Sequence, residues 1–428
     1  MNAIRLAVIL LAPLASGYTI LLDRDIAGLN LFKRLLLTLQ RAGIENFVVL
    51  SKHLPQEKWS EIENDLHEDV RFKGQLSWSD QKQYIQNGDE NLHQAFDDPR
   101  GFLLLDGNLV TSAKLIDDFI WKTWWTDIGI KQQIARLKFL QDDPARIFIF
   151  PPHSGKRLDD FLRSDTLDGP IEPVSMEGES FLLKTVEDAP SARQAEREVI
   201  QNHKFHYSQL MDKWFNSHFS LPISSRLVKT FLTPNHVTLL GLLIGLCAGW
   251  LFSLGNYWGG LFGGILLVGT AIWDCCDGDV ARLKFMESDF GDTLDTCCDN
   301  IINVFVFTGM MIGTARSQGL SYALTPFALL ALGGTAIFIL IYFPKGGKGS
   351  FFKDTWMYGL IQVLASRNFI YIILIFAVFG RIDWFLWLAG IGSNAFALIL
   401  FFVKRRISPS GKKNCKNEMP IAAANPPL

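Results

Sequence analysis

A surplus of charge of either sign is missing from this chain. Its 428 residues hold 41 Lys and Arg against 43 Asp and Glu, a formal net charge of −2. A general nucleic-acid binder shows a basic excess, so that class is excluded. Cysteine is scarce too, with six in all, at positions 247, 275, 276, 297, 298 and 415. Four of these form two adjacent pairs, and neither pair has the spacing of a zinc site. Adjacent residues point to different faces of a helix, so the pairs read as small apolar packing residues between helices, in keeping with a reducing compartment. The third shortage is local. Beyond Asn235 charges become rare, and Phe, Leu, Ile and Gly fill long apolar runs. The hydrophobic share of 49% and charged share of 20% therefore average two unlike halves, a mixed-charge head and a membrane body.

In the head, apolar runs at Leu6–Leu11, Phe47–Leu50, Phe102–Leu105 and Ile147–Phe150 have strand length. Amphipathic stretches such as Leu31–Ala42 and Trp59–Leu66 lie between them. Such alternation predicts an α/β domain with a mostly parallel sheet over residues 1–190. The opening Met1–Gly17, with Arg5 ahead of an apolar run and small residues, also has the layout of a secretory signal. The strand–helix–strand pattern that follows favours a first buried strand instead.

The segment Ala27–Leu50, a helix leading through Ala42-Gly43 into the next strand, resembles the sugar-nucleotidyltransferase family. Leu103-Leu-Leu-Asp-Gly107 resembles the strand end where that family presents a metal-binding aspartate, here Asp106. The family's Gly-rich phosphate loop, with its arginine and Pro-Lys pair, is replaced by Ala12-Pro-Leu-Ala-Ser-Gly-Tyr-Thr-Ile20. Without a nest of backbone amides and a lysine, triphosphate binding has no electrostatic basis. The head is expected to be a nucleotidyltransferase-like, Rossmann-type fold that has lost its chemistry, with Asp106 a polar strand end.

Spanning a bilayer takes about 20 apolar residues in a helix. Six stretches qualify as spans: His236–Leu254, Trp258–Trp273, Thr296–Ala315, Tyr322–Phe343, the short Phe369–Gly380, and Trp384–Val403. They predict an all-α six-helix transmembrane domain over residues 235–405, followed by a tail at 406–428. Residues 191–234 form a linker in which Lys213–Leu232, mixing Trp214, Phe215 and Phe219 with Lys213, Arg226 and Lys229, reads as an interfacial helix. Basic residues concentrate before the first span, between spans two and three (Arg282, Lys284), between four and five, and in the tail; Arg316 and Arg381 mark the opposite loops. The bias predicts a multi-pass protein of the cell membrane with head and Asp-rich segment cytoplasmic.

That segment reads Asp274-Cys-Cys-Asp277-Gly278-Asp-Val-Ala281-Arg282, then eight residues, Gly291, three residues, Asp295, three residues and Asp299. Asp274 and Asp277 are i and i+3 near the end of one apolar helix, and Asp295 and Asp299 are i and i+4 near the start of the next. Each pair lies on one helical face, so antiparallel neighbours can turn four carboxylates to one point. A carboxylate at membrane depth costs about 2.5–3.5 kcal/mol. Four would cost roughly 10 kcal/mol, comparable to the stability of a whole domain, about 5–15 kcal/mol. Cations must compensate them, and hard oxygen ligands favour Mg2+ or Mn2+, two ions able to hold a diphosphate. Gly278 and Ala281 bare the helix surface for a nucleotide, and Arg282 can pair with phosphate. Asp279 and Asp289 suit solvation and helix ends, and Asp292 suits either role.

The same residues match the signature of the CDP-alcohol phosphatidyltransferase family, D-x2-D-G-x2-A-R-x8-G-x3-D-x3-D, without a departure. The resemblance implies a phosphotransferase that moves a substituted phosphate from a CDP-alcohol to an acceptor hydroxyl and releases CMP. It implies a CDP site at Asp274, Gly278, Ala281, Arg282 and Gly291, metal ligands Asp274, Asp277, Asp295 and Asp299, and Asp299 as general base. A phosphorylated acceptor would meet Arg367 first, in Ser366-Arg-Asn368, then Arg226 or Lys229. Partners implied are a CDP-alcohol donor of the diacylglycerol or inositol type, an alcohol or phospho-alcohol acceptor, the bilayer, and a second copy in a homodimer. The order of domains resembles fusions of inositol-phosphate cytidylyltransferase to di-inositol-phosphate phosphate synthase, so soluble CDP-inositol stands beside a phospholipid-type product. Intramembrane carboxylates also mark cation-coupled transporters, but those place them at the midplane of broken helices rather than near one membrane face.

Overall fold

The computed structural model describes residues 4–12, 24–52, 54–87, 95–96, 98–125, 133–139, 145–167, 169–207, 211–342 and 369–410. The chain divides into two units, Met1–Pro234 with Cys276–Glu287, and Asn235–Cys275 with Ser288–Leu428.

The first unit is built on a seven-stranded sheet in the order Ile171–Ser175, Ile134–Lys138, Ile147–Phe150, Phe102–Asp106, Leu6–Leu11, Asn46–Ser51 and Gln75–Asp80. Strand Leu6–Leu11 is central and pairs in parallel on both sides, Val8 opposite Val48 and Leu104. Both its faces are covered, which is why it reads as an unbroken apolar run. Ile147–Phe150 is inserted antiparallel between Phe102–Asp106 and Ile134–Lys138; the other pairings are parallel, so the sheet is mostly parallel as expected. Periodicity misses Gln75–Asp80 and Ile171–Ser175. Both are edge strands of polar sequence, one carrying Pro173, as sheet edges require.

Helix Leu31–Arg41 packs on one face of the sheet. Asn30 caps it, its side chain accepting from Lys33 N at 2.7 Å. Even Lys33 and Arg34 are buried in it. Leu283 is fully buried in the same core as Leu36, Phe47 and Phe119. In the linker, helix Ser217–Leu227 buries Ser217, Ser220 and Ser224, while Trp214 (78%) and Phe219 (50%) are exposed. Hiding serines and presenting aromatics reverses the usual soluble pattern.

The second unit is helical. Among the described residues, five helices are long and apolar enough to cross a membrane: Pro234–Ser253, Tyr257–Leu283, Asp289–Gln318, Leu320–Leu340 and Ile382–Val403. Phe369–Val378 is a shorter apolar helix; the residues before it, 343–368, lie outside the described ones. Two span boundaries differ from the sequence reading by more than a turn. The second helix runs on past Trp273 to Leu283, and the third begins at Asp289 rather than Thr296. Hydropathy stops where charges begin, whereas the backbone continues, because Cys276, Asp279, Val280 and Leu283 remain buried. Arg282, expected in a loop, is therefore helical. Glycines set the close approach of the first and third helices. A β-carbon on Gly309 would run into the Gly249 carbonyl, and one on Gly313 into that of Phe252. Trp273 Nε1 donates to Val237 O at 2.7 Å and fixes the second helix against the first.

Candidate functional site

Two helices supply the signature residues. Tyr257–Leu283 carries Asp274, Asp277, Gly278, Ala281 and Arg282, and Asp289–Gln318 carries Gly291, Asp295 and Asp299. The start of the latter is fixed by Ser288, whose Oγ accepts from Gly291 N at 3.0 Å. Asp289 and Asp292 occupy its first turn, where negative charge complements the helix dipole.

One carboxylate oxygen from each of Asp274, Asp277 and Asp295 lies within 4.8 Å of the others. Asp277 is 9% exposed. Mg2+ holds oxygens at about 2.0–2.1 Å, so ligands on opposite sides of one ion stand about 4.2 Å apart. Three carboxylate oxygens gathered this closely can turn toward a single cation. The donor set is all oxygen and carries three negative charges, which suits a hard divalent cation better than zinc. Asp299 falls outside this trio, one turn further along the helix from Asp295.

Arg282 lies over Gly278: a β-carbon there would come within 3.1 Å of Nη2. Its Nη2 donates to Asp279 Oδ1 at 3.2 Å. Asp279 is fully buried, and its other oxygen accepts from Tyr207 at 2.7 Å and Ser224 at 3.0 Å. The role of a solvated helix charge given to Asp279 above is thus corrected. It is a buried anchor that orients the signature arginine, and it went unseen because its partners stand 72 and 55 positions away.

Four of the five residues after Arg282 are held by side-chain contacts. Leu283 O accepts from Arg34 Nη2 at 2.8 Å, and Lys284 O from Arg71 Nη1 at 2.7 Å. Lys284 Nζ donates to Thr230 O and Leu232 O at 2.7 and 2.9 Å. Phe285, at φ +56°, lies beneath the guanidinium groups of Arg41 and Arg34, 4.5 and 5.6 Å from its centroid. Arg41 also pairs with Glu287. Burial, and then the nearby Arg71, push the Lys284 ammonium below its ordinary pKa.

The remaining sequence candidates are spread apart. Lys229 pairs with Glu196 at 3.0 Å. Arg226 is exposed and donates to Pro222 O at 3.4 Å. Arg367 and residues 13–23, which include most of the altered phosphate loop, lie outside the described residues. Asp106 is held by Arg146 through Nε and Nη2, both at 2.9 Å, so its charge is already met inside the head.

Residues 231–391 match the CDP-alcohol phosphatidyltransferase family. The matched CDP-alcohol phosphatidyltransferase stretch contains the signature residues from Asp274 to Asp299. The bifunctional IPC transferase and DIPP synthase of Aquifex aeolicus is 31% identical over 170 residues, 39% of this chain and 37% of that protein. The phosphatidylinositol phosphate synthase of Mycobacteroides abscessus is 33% identical over 100 residues, 23% of this chain and 44% of that protein. The chain thus spans less than half the length of either relative. Among solved structures, the inositol-1-phosphate CTP transferase of T. maritima aligns with a TM-score of 0.32 and 12% identity, over 46% of this chain and 96% of that one.

Proposed function

We propose that this protein is a membrane phosphotransferase that moves a substituted phosphate from a CDP-alcohol to an acceptor hydroxyl and releases CMP. The observation that carries the reading is the convergence of Asp274, Asp277 and Asp295 from two apolar helices within 4.8 Å. When bound there, a divalent cation, or the pair the signature implies, neutralises the carboxylates and supplies Lewis acidity toward the donor's diphosphate. The small residues Gly278, Ala281 and Gly291 leave room for the nucleotide, with the Arg282 guanidinium lying beside Gly278 to meet its phosphate. In the transfer, the acceptor oxygen bonds to the phosphorus that carries the alcohol, and the bond from that phosphorus to the bridging oxygen breaks. CMP leaves with that bridging oxygen. The acceptor's proton passes to Asp299, a turn from Asp295, which acts as general base.

The donor is of the CDP-diacylglycerol class and the product a phospholipid, with the head and the acidic cluster on the cytoplasmic side. Support comes from the similarity to a phosphatidylinositol phosphate synthase and from the basic residues on that side of the spans. A second reading, a soluble CDP-polyol donor, has the bifunctional relative in its favour. The test uses the purified full chain in detergent with Mg2+, offering CDP-diacylglycerol or CDP-inositol with alcohol and phospho-alcohol acceptors, and follows CMP. Asp295→Asn is expected to lower CMP release at least about 100-fold with the fold intact. Wild-type turnover in that variant, or in Asp299→Ala, would remove the mechanism.

A further inference from the structure

At the end of the helical unit marked by Arg316 and Arg381, a cavity of about 190 Å3 opens where helices end and begin. From Tyr257 on its rim to Asp274 the second helix rises about 26 Å, so the cavity is remote from the aspartate trio. Thr314 and Asp383 line it and are buried, 4% and 6% exposed, while Asn256, Tyr257 and Gln318 are exposed at its mouth. No described residue donates to the Asp383 carboxylate or forms an ion pair with it, and none shares a hydrogen bond with the Thr314 hydroxyl. Both side chains keep accessible surface at their oxygens, so an occupant can touch them. The arginines at this end are engaged elsewhere. Arg316 Nη1 donates to Ser253 O at 2.7 Å, and the Arg381 guanidinium lies 5.1 Å from the Trp384 ring centroid. Asp383 sits in the first turn of its helix, where the dipole favours negative charge. That field offsets only a fraction of what a desolvated, unpaired carboxylate costs.

What surrounds the carboxylate selects its partner. Apart from Asp383 the polar lining is neutral oxygen and amide. Ser317 spends its proton on Gly313 O or Thr314 O, each at 3.2 Å, which leaves its hydroxyl oxygen able to accept. The first, third and short helices end here, and helix C-termini present carbonyl oxygens that favour cations. One negative charge among neutral oxygens matches a monovalent cation, whereas a divalent ion is better met by the three carboxylates of the trio. The volume suits an ion that keeps part of its water. A water molecule takes about 30 Å3, so the cavity has room for about six. We propose that Asp383 and Thr314 hold a partly hydrated alkali-metal cation, Na+ or K+, which ties the start of the last helix to the end of the third.

The test uses full-length protein in detergent with EDTA, which keeps divalent ions off the trio. Melting is followed in NaCl or KCl against N-methyl-D-glucamine chloride at equal ionic strength. Binding is counted with radioactive sodium, or with rubidium in place of potassium. Na+ or K+ is expected to raise the melting temperature saturably by at least about 3 °C. Asp383→Asn should abolish both the shift and the binding, yet melt no lower than wild type in N-methyl-D-glucamine, because the unpaired charge is gone. Thr314→Val should weaken binding about fivefold, and Asp295→Asn should leave it unchanged. Four results would overturn the proposal: melting alike in all three salts; a response retained in Asp383→Asn; a lower melting temperature of that variant in N-methyl-D-glucamine; or loss of binding in Asp295→Asn. Should Asp383→Asn fail to fold, unaltered binding by Thr314→Val overturns it equally. Neither readout passes through CMP release, so failure here leaves the transferase reading standing.

Discussion

Replacing Arg34 by methionine removes one side chain from the head and should loosen the segment that follows the signature. Arg34 is 5% exposed and donates to three carbonyls, Ile26 O and Ala27 O at 2.9 Å and Leu283 O at 2.8 Å. Hydrogen bonds from a charged donor contribute about 1.5–3 kcal/mol each, so the three together amount to about 4–9 kcal/mol. Burial works against them. It is the main cause that draws the guanidinium down to a pKa of about 10, and a depression of that size disfavours the charged form by about 3 kcal/mol. Methionine carries no such cost, so the net loss centres on about 3 kcal/mol. For a unit of this size that corresponds to about 6–12 °C in melting temperature. The assay is tryptophan-fluorescence melting of the full chain in detergent, paired with CMP release measured below both transitions. CMP release should fall as well, because the carbonyl one residue past Arg282 loses its anchor. Arg34→Lys should lie between, since an ammonium cannot span the three acceptors. A methionine variant that melts within about 2 °C of wild type would refute the reasoning.

Asp69 sets an acid limit on the same unit. Burial alone would raise its pKa, but hydrogen bonds from Arg71 and Lys33 outweigh it and hold the carboxyl far below the usual 3.8. The folded value is depressed, so its contribution is present above pH 3.8 and is lost as the pH falls below that; Asp69→Asn should flatten the acid limb of a melting-versus-pH profile. Asp279→Leu strands Tyr207, Ser224 and Arg282 in a buried site, with an expected loss of about 3–5 kcal/mol and of CMP release. Asp279→Asn, which keeps the shape and one acceptor, should be milder by both measures. Gly309→Leu drives a side chain into the Gly249 carbonyl and is expected to shift the detergent-purified protein from a single peak to aggregate on size exclusion.

Apolar runs and Asp spacing made much of this protein legible from its residues alone. Leu6–Leu11 and Ile147–Phe150 appear as strands at the expected limits, and Leu31–Arg41 as the expected helix. Their signals are local: burial on both faces gives an unbroken apolar run, and burial on one face a helical stripe. The i, i+3 and i, i+4 spacings of the aspartates are likewise properties of a single helix, so the carboxylates could be placed on shared faces before any packing was known. Edge strands such as Gln75–Asp80 escaped because their sequence is polar, and the end of the second membrane helix escaped because hydropathy reports on solvent rather than on backbone.

The sequence by itself determined that two chemically different halves are joined, that the second crosses a membrane, and that acidic residues face one another near one end of it. Only the tertiary structure decided that Leu283 is a core residue of the head, that Asp279 is an anchor held by Tyr207 and Ser224, and that three of the aspartates rather than four form the closest group. The physical reason is range. Helix periodicity and hydropathy act within a few residues, whereas a hydrogen bond such as Arg34 to Leu283 joins positions 249 apart and leaves no trace in either neighbourhood.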